Sequence, residues 1–455
     1  MSSSLPSSPD LPAPQAAKPA PPRRGGPTDP SHDENLRRGI LFTDVTRPVA
    51  AVLVVAFLLV IYAIPIGQAI RDKVAGDESV LLDLFRRAPT RENIKQFEDD
   101  LNKASTPREW VQPKLQALIT RYGGYGNVKA VLGTPGWLYY GPGVTATGGP
   151  GFLDSSLLAS RAKAALDEGA PVSPDPRPAI LDFAAFLRGR GIALVLLPIP
   201  DKASLQAVEL TGRSRDGGGP PAQNPDHARL VAELRAAGVL VFDPTPAALA
   251  PGAPPRFLRQ DTHWRPEWME EVAGALARFL REHELAAPEP PAGAGRKWHG
   301  IEKAVSRVGD ITDMLHLPEG QTLYAPESAT IHEVRDGEDK PFEPNDGAAV
   351  LLLGDSFTNV FSLEPMGWGE GAGLGPHLAL ALGRDVDVLS QNDSGAFATR
   401  QLLWNALSGG EAGGKDRLAG KRVVVWEFAS RELAVGDWKP LDWSHAHPDA
   451  AGGTP

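Results

Sequence analysis

The sequence predicts an α/β fold in which a mostly parallel sheet is covered by helices on both faces and is preceded by one transmembrane helix. Short, wholly apolar runs alternate with amphipathic segments through the second half of the 455-residue chain. Those runs lack the polar alternation of half-exposed strands, which is how strands buried on both faces read. Ahead of them, Val49 to Ile66 runs 18 residues without a charge.

Residues 1–47 are rich in Ser, Pro, Ala and charge, with almost no large apolar side chain between Leu11 and residue 35. Such a segment buries too little surface to offset its ordering entropy, so a disordered tail is expected. Residues 48–70 hold VAAVLVVAFLLVIYAIPI, about the length that crosses a hydrocarbon core as a helix. A cleaved signal peptide is the competing reading, but its leader is short and here nearly 50 residues come first. A buried core helix fits less well, because the stretch is apolar on every face. Arg37, Arg38 and Arg47 precede the span and Arg71, Lys73, Arg86 and Arg87 follow it, so the positive-inside rule does not fix its orientation.

Residues 71–124 carry helical periodicity, as in ENIKQFEDDLNKA, and are expected to form a helical stalk or subdomain. From there to about residue 435 the rhythm is β/α. DFAAFLRGRG precedes IALVLLPIP, and PDHARLVAELRAAG precedes VLVFDP. A long helix follows Trp264, and then come AAVLLLGDS, PHLALALG, DVDVLSQ and RVVVWEFA. Residues 436–455 form a terminal tail. Ligands in such folds bind beyond the carboxyl ends of the strands.

Composition excludes several chemistries. The chain has no cysteine, which removes disulfides, thiolate metal sites and cysteine nucleophiles. Its net charge is −10 and no Lys/Arg run with interleaved aromatics occurs, so nucleic acid is not an expected partner. No GxxxxGK[ST], and no GxGxxG after a strand, is present to cradle phosphates. No cofactor is expected.

Ser356 ends the apolar run VLLLGDSFTN, where Gly354 permits a sharp exit and the serine is left at the strand's carboxyl edge. A hydroxyl there is a weak nucleophile unless a base takes its proton. In FLRQDTHWRPEWMEE, Asp261 and His263 are two residues apart, which in extended backbone puts both side chains on one side. The carboxylate would then hold the imidazole, as in a Ser-His-Asp triad. Each piece alone has a plainer reading: Gly-Asp-Ser as a turn with a helix cap, and Asp261 or Thr262 as the cap of the helix near Arg265. Asp-x-His with a later Gly-Asp also opens a binuclear metal pattern, but no further acid stands at the needed position and no Gly-Asn-His segment follows, so no metal is expected.

With GTPGWLYYG (Gly133 to Gly141), LLPIPDKAS (Leu196 to Ser204), DTHW (Asp261 to Trp264), GDSF (Gly354 to Phe357) and VVVWEFASREL (Val423 to Leu433), the chain resembles the SGNH hydrolase-like alginate O-acetyltransferase family over roughly residues 125–435. These are the AlgJ- and AlgX-like polysaccharide acetylation proteins. The resemblance implies an SGNH hydrolase-like domain with Asp261, His263 and Ser356 as catalytic triad. It implies a periplasmic main domain on an inner-membrane anchor, with the tail cytoplasmic. It also implies a polysaccharide acceptor and a membrane-bound O-acyltransferase as acetyl supplier. Secondary substrate or oxyanion roles fall on Trp264, Asp355, Asn392, Gly395 and Arg400. Trp264 would stack on a sugar or pack its helix, and the last three would line the cleft or form an ordinary loop. Ping-pong acetyl transfer is the expected activity. An acetylesterase and a non-catalytic polysaccharide-binding component are the alternatives.

Overall fold

The structure is a computed structural model that describes residues 46–76, 78–104, 106–213, 222–249, 253–286, 297–392, 395–408 and 416–445. All but the end of the expected N-terminal tail, the C-terminal tail beyond residue 445 and most of the insert RSRDGGGPPAQ lie outside the described residues. The chain divides into two compact units, up to Arg108 and from Glu109 onward.

In the first unit the uncharged stretch lies within one helix, Arg47–Ala75, with Pro48 at its first turn and Gly76 closing it in the left-handed region at φ 84°. It is long and apolar enough to cross a membrane, and none of its most apolar 18-residue window is buried against protein. Val52, Phe57, Leu59 and Ile66 are all more than half exposed, which suits lipid as the missing neighbour. A helix over Arg91–Ala104 follows, with none of its residues buried.

In the second unit nine strands occur among the described residues. β1 (Ala130–Leu132) and β2 (Leu138–Tyr140) form a small antiparallel hairpin. β3 (Ala193–Ile199) and β4 (Leu240–Val241) belong to the main sheet. β5 (His299–Arg307) and β6 (Glu327–Arg335) pair as a separate antiparallel ribbon. β7 (Val350–Gly354), β8 (Asp387–Ser390) and β9 (Val423–Ala429) complete the sheet, whose order is β4-β3-β9-β7-β8 with every pairing parallel. The five apolar runs of the sequence are these five strands, so the expected α/β class holds.

The alternation of side chains sorts the strands into two cores. Val195, Leu197, Leu352 and Val425 face one side, against the helices Pro266–Glu282 and Leu374–Leu382. Leu194, Leu196, Leu351, Leu353, Val424 and Trp426 face the other, against Pro176–Gly189, His227–Ala236 and Gly395–Leu407. The Pro266–Glu282 helix buries Met269, Val272, Ala273, Leu276, Ala277 and Leu280, the spacing of one helical face. Each fully buried leucine there contributes about 1.5–3 kcal/mol.

β9 lies between β3 and β7, so the ends of all three strands converge. Lys202, just past β3, gathers the neighbouring loops. Its ammonium donates to the carbonyls of Leu138 (2.6 Å), Arg259 (2.8 Å) and Asp261 (3.1 Å). Burial pushes its pKa down to about 7, against the opposing pull of Asp261, Glu327 and Asp310. One side chain thus ties β2 and the Asp261 loop to the sheet. Lys202→Met would leave these carbonyls short of a donor and should lower the unfolding free energy by about 2–4 kcal/mol, read from the guanidinium midpoint at unchanged slope.

Candidate active site

Ser356 lies one residue past the end of β7, after Asp355, and opens a one-turn helix, Ser356–Asn359. Asp355 caps that turn by accepting from Phe357 N at 2.8 Å, and its second oxygen accepts from Ala429 N, at the end of β9, at 3.0 Å. A Cβ on Gly354 would lie 2.1 Å from Thr358 Oγ1, so only glycine lets the chain turn this closely.

The structure brings the three expected residues together. His263 Nε2 lies 2.8 Å from Ser356 Oγ, and His263 Nδ1 lies 2.6 Å from Asp261 Oδ1. Because a carboxylate only accepts, Nδ1 carries the proton and Nε2 is left to accept from the serine hydroxyl. The route to this pairing differs from the sequence expectation. Residues 261–263 are a bend rather than extended strand, and Asp261 Oδ1 also accepts from His263 N at 3.0 Å, an Asx-type turn. Neither Asp261 nor Thr262 caps the next helix, whose N-cap is Arg265 without a side-chain bond.

Two residues that the sequence reading missed complete the support of Asp261. Trp368 Nε1 donates to Oδ2 at 2.9 Å and Asp310 N donates to the same oxygen at 3.1 Å. Burial alone would raise the Asp261 pKa, but the His263 bond and charge, with the Trp368 and Asp310 donors, hold it below the ordinary carboxylate range. For His263, burial pulls downward and is outweighed by the Asp261 hydrogen bond and the charges of Asp261, Asp310 and Asp355, so its pKa is raised. Asp310 itself is pushed up to about 6, by burial first and then by the Asp261 charge. Its carboxylate lies 3.9 Å from His263 Nδ1 and accepts from Thr262 N at 2.6 Å.

Asp261, His263 and Asp310 offer atoms within 4.8 Å of one another, the spacing of a metal cluster. Four N–H donors already fill the two Asp261 oxygens, however, and a cation would have to displace them. The donor set fits a hydrogen-bonded relay and not a metal site.

Ser356 stands where two clefts meet. One, of about 480 Å³, is bordered by Pro142, Thr145, Asp355, Gly395 and Glu432, and the other, of about 330 Å³, by His263, Arg307, Asp310, Met366 and Asn392. Tyr140 and Arg431 border both. Neither was singled out from the sequence, although both lie in the quoted motifs GTPGWLYYG and VVVWEFASREL. Arg431 follows β9, with its guanidinium 5.1 Å from the Tyr140 ring and 5.7 Å from the Phe357 ring, and pairs with Asp201 at 3.7 Å. It places a fixed positive charge at the serine.

The secondary residues fare unevenly. Asn392 borders the His263 cleft, held by Asn359 Nδ2 at 2.8 Å, and Gly395 borders the other at φ +61°. Asp355 reaches the cleft edge, but both its oxygens are committed to backbone amides, so it shapes the turn instead of contacting a substrate. Trp264 is fully buried, donates to Phe357 O at 3.1 Å and packs on Trp268, which corrects its reading as a sugar platform. Arg400 is equally buried, over the Trp426 ring, and donates to Lys439 O at 3.0 Å. It lines neither cleft.

Residues 130–430 match the family model described as SGNH hydrolase-like domain, acetyltransferase AlgX. Among solved structures, the chain is similar to the O-acetyltransferase domain of Pseudomonas putida AlgJ, at 23% identity and TM-score 0.47, covering 69% of this chain and 94% of that one. Pseudomonas aeruginosa AlgX matches at 15% identity and TM-score 0.47, covering 71% and 67%. Bacillus cereus PatB1 matches at 12% and 0.38, covering 69% and 100%. No curated protein matches the sequence.

Removing the Asp310 charge should disfavour the imidazolium and lower the His263 pKa. In NMR titrations of histidine-labelled protein, His263 should titrate above the ordinary imidazole value of 6.5, and Asp310→Asn should move its midpoint to lower pH. An unmoved midpoint would remove Asp310 from the electrostatics of the site.

Proposed function

This chain belongs to the SGNH hydrolase-like AlgX acetyltransferase family, and from that premise we propose that it transfers an acetyl group to hydroxyls of an alginate-like exopolysaccharide through a serine acyl-enzyme. The observation that carries the reading is the continuous relay from Asp261 through His263 to a cleft-facing Ser356, with contacts of 2.6 and 2.8 Å. Ser356 Oγ attacks the acetyl carbonyl while its proton passes to His263 Nε2. The imidazolium then returns that proton to the departing group, leaving acetyl-Ser356. In the second half, a sugar hydroxyl gives its proton to Nε2 as its oxygen attacks the acetyl carbonyl, the bond to Ser356 Oγ breaks, and the imidazolium returns the proton to Oγ, restoring the serine. Arg431 and the backbone amides of the serine turn stabilise the negative oxygen of each tetrahedral intermediate.

The leaving group and the acceptor must both approach His263, since one imidazole serves both proton transfers. The cleft bordered by Arg307, Met366 and Asn392 is therefore the acceptor side. The apolar, unpacked helix Arg47–Ala75 supports a single-pass membrane anchor, and the family resemblance is what suggests an inner-membrane location with the catalytic unit in the periplasm. There a membrane-bound O-acyltransferase would supply the acetyl group.

The assay offers the purified chain an acetyl-ester donor and an acceptor oligosaccharide, and follows acetate and acetylated sugar by mass spectrometry. Acetylated sugar should form with wild type and vanish with Ser356→Ala. Asp261→Asn should lower kcat roughly ten-thousand-fold by misorienting the imidazole. Arg431→Ala should lower it about a hundred-fold, the scale of one lost oxyanion donor. Acetate without acetylated sugar would make the chain an esterase.

A further inference from the structure

Beneath the serine turn lies a buried carboxyl that the acyl-transfer chemistry does not use. Glu427 sits in β9, the central strand, and is fully buried. Its Oε2 accepts from Asp355 N at 3.0 Å and from Thr358 Oγ1 at 2.8 Å, the residues on either side of Ser356 and Phe357. Its Oε1 has no donor facing it. Asp355 is its neighbouring acid, near enough that its side chain and charge both disfavour an ionised Glu427, and the oxygens of Asp355 already accept from Phe357 N and Ala429 N.

Two neighbouring carboxylates, one of them fully buried, disfavour being charged together, and a proton shared between them relieves the pair. Its place follows from the donors. Asp355 holds two backbone N–H groups on its two oxygens and acts as acceptor, whereas Glu427 has a saturated Oε2 and a bare Oε1. A proton on Oε1 turns that bare atom into a donor and satisfies the pair.

We propose that Glu427 is a positioning residue for Ser356, standing as a neutral carboxylic acid that donates its Oε1 proton to Asp355 and fastens the nucleophile turn to the centre of the sheet. Burial first, and the Asp355 charge second, raise the Glu427 pKa well above the ordinary range, in agreement with that state. An ionised Glu427 would repel Asp355 from the two amides it accepts from. Ser356, bracketed by these contacts, would then leave its 2.8 Å contact with His263. The neutral strut also leaves Asp355 as the single negative charge of the pair, one of the charges that raise the His263 pKa.

The kinetic part of the test rests on the acyl-transfer reading, and the spectroscopic part does not. Full-length wild type, Glu427→Gln and Glu427→Leu are compared by unfolding, by kcat and KM on the acetyl-ester donor, and by infrared difference spectra of protein carrying carbon-13 glutamate. Wild type should show a protonated-glutamate carbonyl band that Glu427→Gln lacks. The glutamine amide donates to Asp355 and accepts from Asp355 N and Thr358 as the acid does, so its kcat should stay within about three-fold of wild type. Leucine offers neither, and should lose about tenfold or more in kcat at similar KM. A wild type without that band, or a folded Glu427→Gln as impaired as Glu427→Leu, would overturn the proposal. If wild type leaves the ester untouched, the acyl-transfer reading fails, and the infrared band still decides the state of Glu427.

Discussion

The site depends on the four N–H donors that converge on the Asp261 carboxylate. Two come from His263, one from the Trp368 indole and one from the Asp310 amide. A buried carboxylate without donors would take up a proton and release the imidazole. With its lone pairs satisfied it stays ionised, fixes the His263 tautomer and aims Nε2 at Ser356. The donors come from separate stretches of chain, so the relay is set by the packing of the whole unit. A close approach makes this possible: a Cβ at Gly309 would lie 2.3 Å from Gln260 O, so glycine lets the Asp310 amide reach Asp261.

The remaining contacts carry that order to the sheet. Lys202, past β3, binds the Asp261 carbonyl, while Asp355, past β7, binds the end of β9. Trp264 locks the two halves of the relay, since its indole donates to the carbonyl of Phe357 while it neighbours His263 in sequence. The catalytic loop and the nucleophile turn are thus joined by one buried side chain as well as by the Ser356–His263 contact. Its full burial follows from this bridging position between Phe357 and Trp268.

The main sheet was legible because its strands are buried on both faces and so read as unbroken apolar runs, such as ALVLLPI over Ala193–Ile199 and VLLLG over Val350–Gly354. Ser356 was legible from its place at the end of one such run, and Asp261 and His263 from their spacing. The β5–β6 ribbon was not, because β5 is exposed along most of its length and carries HGIEKAVSR, which has no run of that kind. Trp368 and Asp310 were not, because their roles arise from contacts across 107 and 49 positions of sequence. Asp310 did have a local signal, a Gly-Asp at a helix start like that of Asp355. Arg400 misled for the opposite reason. Its helix Gly395–Leu407 has one end at the cleft, and Arg400 lies a turn and more further on, where the helix packs against Trp426.

The acids around Ser356 differ in how far donors and neighbouring cations offset the cost of their burial. Asp261 has four donors and a lowered pKa, whereas Glu427, with a bare oxygen and a carboxylate neighbour, is raised. Asp201 is pushed up to about 6 by burial, against the pull of Arg431 and Ser430. Arg431 is raised despite burial by Asp201, Glu432 and Asp355. It therefore remains a cation although its side chain is largely buried, a setting in which one unit of charge acts strongly. An acyl-transfer intermediate adds a negative oxygen beside Ser356, and Arg431 is the cation that borders both clefts there. The surrounding acids keep that guanidinium charged and in place before any substrate arrives, which is the preorganisation that oxyanion stabilisation requires.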